Sequence, residues 1–499
     1  MNRFRPMFPG KAVELDEVPR LGLAEFQQSI VEGVSAGARI SALFGAGSQV
    51  VTLYGVLADD PESRLLVARS EVEGDSFESI TPRCPQAHLF EREIAEQFGL
   101  MPRGHPWLKP VRFHPSYRPG HAVWPDPTIG VTDFYRVEGE EIHEVGVGPV
   151  HAGVIEPGHF RFQCHGEEVF HLEISLGYQH RGVEPALVGG PNRRTIHLME
   201  TTAGDTTVGH ATAYCEVMEA LTRCQKSARA QVLRGIALEL ERLANHVGDL
   251  GALANDVGFL PTASYCGRIR GDFLNMTALL CGSRFGRGFL RPGGVGFDVD
   301  DVRVGTLLER LAAAQKDTRV AVDLLWASPS VMARFEETGA IPKEVCTQLG
   351  LVGPAARACG VELDVRRDQP SGIYRFSHIP VASWPSGDVF ARAYVRWLEI
   401  ERSILFIREQ LKALPSGSVG VDAGSPQPDR IAVSLVEGWR GEICHVALTD
   451  AEGRFLRYKI VDPSFHNWTG LAYALRNQQI SDFPLCNKSF NLSYCGHDL

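Results

Sequence analysis

The sequence predicts an α+β protein. A small α+β unit occupies residues 1–118, a proline-rich linker 119–145, and a larger, mainly helical body with short antiparallel sheets 146–499. Three observations carry this reading. Residues 20–100 mix helical spacing with short strand-like runs, prolines crowd the stretch from Pro102 to Pro127, and much of the remainder spaces its apolar residues three and four apart.

The elements follow in order. Leu21–Gly47 has helical spacing, and Val50–Tyr54 and Arg64–Ala68 read as strands. Ala87–Phe98 reads as an amphipathic helix stopped by Gly99, since glycine readily takes the left-handed conformation that ends a helix. Prolines at 102, 106, 110, 115, 119, 125 and 127 exclude both a helix and a central strand. Gly148–Glu173 predicts antiparallel strands. Val208–Leu250 has helical periodicity, few glycines and no proline, and predicts one long helix. Ser264–Leu280, Asp301–Leu325 and Val389–Leu411 predict further helices. Leu414–Pro428 is a loop by composition, and Ile431–Val436, Glu442–Thr449 and Arg454–Val461 return to strand patterning. No internal repeat is present.

Composition excludes several functions. Fifty Lys and Arg against 60 Asp and Glu leave a formal charge of −10, a poor match for nucleic acid. No apolar run approaches the ~20 residues that cross a bilayer, and Met1–Arg20 lacks the apolar core of a signal peptide. The 11 cysteines include no C-x-x-C pair, which argues for reduced thiols and against the strongest zinc and iron–sulfur signatures. His159, Cys164, His165 and His171 share a strand-rich region without ligand spacing and read as surface or packing residues. Cys486 and Cys495 read the same way. Gly286, Gly288, Gly293 and Gly294 lack the strand-then-helix context of a dinucleotide fingerprint, and Arg291–Val295 reads as a turn.

Longer motifs are more specific. Phe90-Glu91-Arg92-Glu93, Gln97-Phe98-Gly99 and Gly104-His105-Pro106 resemble the signature of the smaller hydrophilic subunit of respiratory complex I. Gly148-Pro149-Val150-His151, Leu176–Glu184 (LGYQHRGVE), Glu239–His246 (ELERLANH), Asn255–Gly258 and Arg291–Val295 (RPGGV) resemble motifs of its large partner subunit. Glu437–Glu442 and Lys459–Phe465 resemble that subunit's EAPRGE and KIRxPSF pieces. In this fused order the chain is similar to the large subunit of membrane-bound group 4 NiFe hydrogenases of the formate-hydrogenlyase type.

The resemblance implies a NiFe-hydrogenase-large-subunit-like body and a peripheral position on the cytoplasmic face of a bacterial inner membrane. It implies as partners a small iron–sulfur subunit with an adjacent 4Fe–4S cluster, a ferredoxin-like subunit and membrane-arm subunits including antiporter-like proteins. The same cavity holds NiFe in hydrogenases and a quinone headgroup in complex I. Here the motif alignment puts the four NiFe thiolates on Ala203, Thr206, Ser493 and Gly496, none of which supplies sulfur. The complex I His and quinone-facing Tyr fall on Ile155 and Gly204, while the acidic partner of that His is kept as Asp256. No cofactor is therefore expected on this chain, with NiFe disfavoured and a quinone still possible.

Glu156, His159 and Asp205 become substitute proton donors alongside Asp256, and His151 a hairpin residue of the cavity. Arg181 and His180, with Arg287 beside Gly286, fall near the partner's cluster, and Arg440 falls at the hydrogenase arginine above the metal. A structural reading of Arg181 pairs it with Glu184 or another carboxylate. The function so implied is that of a metal-free subunit, one that links a partner's redox change to ion movement through carboxylates of shifted pKa. Its alternatives are an active formate hydrogenlyase or NiFe hydrogenase, a quinone-site subunit of the NADH-quinone oxidoreductase type, and a scaffold.

Overall fold

The computed structural model describes residues 3–153 and 155–499. The N-terminal unit contains β1 (Arg5–Met7), β2 (Ala12–Glu14), α1 (Leu23–Ser35), β3 (Arg39–Ala46), β4 (Val51–Asp59), β5 (Arg64–Val72), β6 (Ser76–Glu78), α2 (His88–Phe98) and β7 (Met101–Arg103). An antiparallel sheet of order β1-β5-β4-β3 is covered by α1, which buries Phe26 and Ile30. The helical spacing of Leu21–Gly47 thus ends at Ser35, and Arg39–Ala46 is a strand. Seven consecutive positions of that strand are buried, so it lacks the alternation that marks a half-exposed strand. Gly99 ends α2 with φ +65°, as its composition predicts.

Residues 104–141 carry no helix or strand, yet they are anchored. The Glu96 carboxylate accepts the N–H groups of Val111 (3.2 Å), Arg112 (3.0 Å) and Phe113 (2.6 Å), so the connector is pinned to α2.

The body opens with β8 (Ile142–Val147), β9 (His159–His165) and β10 (Glu168–Ser175), an antiparallel sheet of order β10-β9-β8. Then come α3 (Val183–Leu187), α4 (Thr195–Glu200), α5 (Thr207–Thr222), α6 (Ala228–Asp256) and α7 (Leu260–Cys281). The Val208–Leu250 stretch is therefore two helices. Arg223 takes a left-handed φ of +54°, and the Ser227 side chain accepts the Ala230 N–H to start α6. The hairpin β11 (Leu290–Arg291)–β12 (Gly294–Val295) precedes α8 (Asp301–Trp326) and the short helices α9 (Pro329–Phe335), α10 (Lys343–Leu349), α11 (Gly353–Arg357) and α12 (Val365–Asp368). With α13 (Val389–Lys412), helices α6, α7 and α8 form the central bundle. Among the described residues no helix is long and apolar enough to cross a membrane.

The C-terminal elements are β13 (Arg430–Gly438), β14 (Gly441–Thr449), β15 (Phe455–Val461), α14 (Pro463–Ala474), α15 (Phe483–Phe490) and α16 (Tyr494–Asp498). Their sheet has the order β15-β14-β13-β2, so an N-terminal strand completes it through Ile431↔Val13. Ile431, Val433, Val446 and Phe465 share one apolar cluster with Phe44, Val56 and Leu66. The N-terminal unit and the C-terminal sheet therefore fold onto a common core.

Candidate functional site

The loop before α5, the β13–β14 tip and the C-terminal segment converge on Asp205. Its carboxylate accepts two parallel bonds from Arg440, Nη1 to Oδ1 at 2.6 Å and Nη2 to Oδ2 at 2.7 Å. Its carbonyl accepts Trp439 Nε1–H and Asn245 Nδ2–H, both at 3.0 Å. Arg440 also donates Nε–H to the Asn491 carbonyl and lies 3.9 Å over the Trp439 ring. The guanidinium is 4% exposed and the carboxylate 35%, so the pair sits at a rim. Burial would raise Asp205, but Arg440 outweighs it and holds the carboxyl below its usual range.

Close backbone approach fixes the tip. Gly353 has φ +66°, and a Cβ there would stand 2.2 Å from the Arg440 carbonyl. Gly353→Ala is expected to destabilise the chain by about 1–3 kcal/mol and displace Arg440. Urea unfolding with Trp439 fluorescence checks this, and an unchanged midpoint and spectrum would refute it.

Behind the rim lies a chain of buried polar groups. His210 Nε2 is 3.1 Å from Asp462 Oδ2, His210 Nδ1 is 3.0 Å from His445 Nε2, and His445 Nδ1 is 2.9 Å from Tyr458 Oη. All four side chains are essentially inaccessible. Asp462 Oδ1 caps α14 by accepting the Ser464 N–H at 2.8 Å. At the α5 N-terminus, Glu241 accepts the N–H groups of Val208 (2.7 Å) and Gly209 (3.0 Å). Burial, with Asp205 nearby, nevertheless pushes Glu241 up to about 8.

The residues present do not fit a NiFe centre. Ala203, Thr206, Ser493 and Gly496 offer no thiolate, and nickel needs soft anionic donors. Space is also closed: a Cβ on Gly496 would meet Asp462 Cγ and Oδ2 at 2.7 Å and Ser493 Oγ at 2.8 Å. Cys495 Sγ lies 3.4 Å from Ser493 Oγ, and burial and Glu156 push it up, so it remains a thiol. The quinone site of the resemblance fits no better, because Gly204 and Ile155 cannot donate side-chain protons.

The other predicted residues separate into groups. Glu156 Oε2 accepts the Tyr494 N–H at 3.2 Å, which docks the β8–β9 loop on the segment bearing Ser493 and Cys495. His151 Nε2 closes that loop on the Gly158 carbonyl at 2.8 Å, and His159 Nδ1 lies 3.2 Å from the Gly148 carbonyl. Asp256 is exposed at the end of α6 with its charge toward Lys488. Among the described residues no hydrogen bond joins it to Asp205, Glu156 or His151. Arg287 is exposed on the α7–β11 loop, where its N–H meets Ser283 Oγ.

Arg181 is exposed and bonds three carbonyls, those of Thr201 (2.7 Å), Thr202 (2.8 Å) and Cys495 (3.1 Å). Its expected structural pairing with Glu184 is not observed, because Glu184 binds Arg457 (2.7 Å) and Lys459 (3.1 Å) instead. His180 Nδ1 lies 2.8 Å from the Asp498 carbonyl, and its ring stacks on His114 at 4.8 Å.

Sequence reasoning missed both the Asp462–His210–His445–Tyr458 chain and an ionic lock between the two units. Signals for the first existed: a histidine inside the apolar run Ile443–Leu448, and an aspartate at the variable position of KIRxPSF. The lock joins Glu93 of α2 to Arg112 and Lys459, and Lys459 onward to Glu184. Three motifs of the resemblance thus meet in one buried cluster.

A large-subunit body locked through buried charges to a fused small-subunit unit defines the class, that of oxidoreductase complexes of the complex I type. Residues 256–430 match the family of the respiratory-chain NADH dehydrogenase 49 kDa subunit, and residues 33–126 that of the 30 kDa subunit. The chain is 31% identical over 353 residues to the carbon monoxide-induced hydrogenase of Rhodospirillum rubrum, covering 70% of this chain and 97% of that one. It is 29% identical over 490 residues to formate hydrogenlyase subunit 5 of Escherichia coli K12, covering 92% and 84%. It is 28% identical over 457 residues to hydrogenase-4 component G of the same organism, covering 88% and 79%. The chain belongs to the complex I 49 kDa/30 kDa family, fused, in its group 4 hydrogenase-related branch.

Proposed function

We propose that this protein works without a NiFe site of its own, on the cytoplasmic face of a membrane. An iron–sulfur partner would hold the electron beside Arg181, and protonation of carboxylates around Asp205 would couple that electron to ion movement in membrane-arm partners. The observation that carries this is Arg181: an exposed guanidinium held by three carbonyls, with no carboxylate in ion-pair contact among the described residues. A permanent cation so presented stabilises the added negative charge of a reduced cluster. Asp205 supports the coupling role as a part-exposed carboxylate on a buried arginine, next to Glu241, whose carboxyl burial pushes up to about 8.

The test uses the purified complex. Elemental analysis is expected to find nickel far below one per chain, with iron following the iron–sulfur partner. Arg181→Met is expected to lower the midpoint potential of that partner's cluster, read by EPR redox titration, and Arg181→Lys to recover part of it. Stoichiometric nickel on this chain, or a potential indifferent to Arg181→Met, overturns the reading.

A further inference from the structure

The buried chain behind Asp205 has only one arrangement of donors while its histidines are neutral. Asp462 is an acceptor at both oxygens: burial raises its carboxyl, but the His210 hydrogen bond, the positive charge His210 can carry and Arg440 outweigh that and hold it below its usual range. Its Oδ2 can therefore only accept, so His210 carries its hydrogen on Nε2. His210 Nδ1 is then an acceptor and His445 must donate Nε2–H to it. His445 Nδ1 accepts in turn, and Tyr458 donates Oη–H. A single anion thus orients donors on α5, β14 and β15.

The surrounding charges do not balance. Asp205 and Asp462 face one cation, Arg440, whose hydrogen bonds go to Asp205, Thr206 and Asn491 and none to Asp462. Nearby Asp249 is taken by Arg396, and Glu184 by Arg457 and Lys459. Tyr214, Cys215 and Cys444, which approach Tyr458, are neutral because burial pushes each up. Ser464 N–H and the His210 imidazole are the only direct hydrogen-bond partners of the Asp462 carboxylate among the described residues, and neither is a permanent cation. A buried carboxylate without its own cation favours an added positive charge beside it.

We infer that the His210–His445 pair is a binding site for one proton, with Asp462 as its counter-ion and Tyr458 as its switchable end. The incoming proton bonds to His445 Nδ1, and Tyr458 turns from donor to acceptor. His445 passes its Nε2 hydrogen to His210 Nδ1. The charge ends on His210, an imidazolium donating Nε2–H to Asp462 and Nδ1–H to His445 Nε2. One proton enters, one N–H bond forms at each ring and one breaks at His445, and no electron moves. Burial and His210 push His445 well down, which drives the charge to the Asp462 end. The site occupies space that thiolate ligands would need, since Asp462 stands where a Cβ on Gly496 would reach.

The full chain labelled with 15N-histidine tests this without any partner, so failure of the proposed function leaves the result interpretable. Imidazole nitrogen resonances are followed from pH 4 to 9 and assigned with His210→Gln and His445→Gln. The two rings are expected to titrate together as one proton, and either assignment variant to abolish the shared step. Asp462→Asn is expected to weaken proton binding at least tenfold, one pH unit. Asp205→Asn at the rim leaves the chain's own bonds in place and frees Arg440 toward Asp462, with a weakening of similar size. It decides the matter where Asp462→Asn fails to fold. Rings that never change protonation in the wild-type chain, or variants that titrate as wild type, overturn the inference.

Discussion

Glu184→Ala is expected to cost about 3–5 kcal/mol, the usual penalty for removing one partner of a buried ionic network. Glu184 is 2% exposed and is shared by Arg457 Nη2 at 2.7 Å, Lys459 Nζ at 3.1 Å and the Ile460 N–H at 3.0 Å. Its removal leaves two buried cations facing an apolar gap. Lys459 keeps Glu93 at 2.6 Å, but among the described residues Arg457 retains hydrogen bonds only to Gln97 and two backbone carbonyls, with the Tyr117 ring 5.9 Å away. Because the lock spans α2, α3 and β15, the loss should appear as weakened docking of the N-terminal unit, read as a lower urea midpoint and earlier proteolysis in residues 104–141. Glu184→Gln keeps the shape and should cost less. The pH dependence has a definite sign. Burial raises Glu184, but Arg457, Lys459 and Arg112 together hold it well below its usual range. Its stabilisation is therefore complete above the unfolded carboxylate value of about 4.3, and is lost as pH falls through the lower folded value. Wild type should lose stability more steeply than Glu184→Gln below about pH 4.3. A Glu184→Ala midpoint within error of wild type would sink the lock.

How much was legible in the chain depended on whether the signal was local. Gly99 stops α2 where its backbone freedom predicts, and the helices from Ser264, Asp301 and Val389 follow their periodicity within a few residues. The break at Arg223 was not legible, because the same apolar period continues on both sides without a proline or glycine at the turn. Strand β3 was missed because burial on nearly every position erases its period of two. The pairing of β2 with β13 joins opposite ends of the chain, and so short a strand carries no register signal of its own. At the candidate site, the resemblance singled out Arg440 and Arg181 and the search for a substitute proton donor singled out Asp205, while the order of partners required three dimensions. Arg181 and Glu184 are near neighbours in sequence, yet the first bonds carbonyls and the second binds β15 cations. The Asp462–His210–His445–Tyr458 chain gathers residues from separate segments, each looking like core or cap alone.

Restoring the four sulfurs should fail to restore a metal site. The variant Ala203→Cys, Thr206→Cys, Ser493→Cys, Gly496→Cys is expected to take up no stoichiometric nickel and to be less stable than wild type. Gly496 is the obstacle. Its backbone is outside the left-handed region, so space alone excludes a side chain, with Asp462 Cγ and Oδ2 2.7 Å from the Cβ position. Asp462 cannot yield freely, since Oδ1 caps α14 at Ser464 and Oδ2 accepts from His210. Gly496→Ala alone should therefore cost about 1–3 kcal/mol for overpacking, and about 1 more if the cap is broken. Asp462→Ala should cost a comparable amount by removing the cap and leaving His210 Nε2–H without an acceptor. The two losses have one cause, so the double variant should be less damaged than their sum by about 0.5–3 kcal/mol. Additive losses in urea unfolding would mean that Asp462 does not close the site. Nickel uptake by the four-cysteine variant with Asp462 intact would mean that missing sulfur, and not the carboxylate, is all that keeps nickel out of this chain.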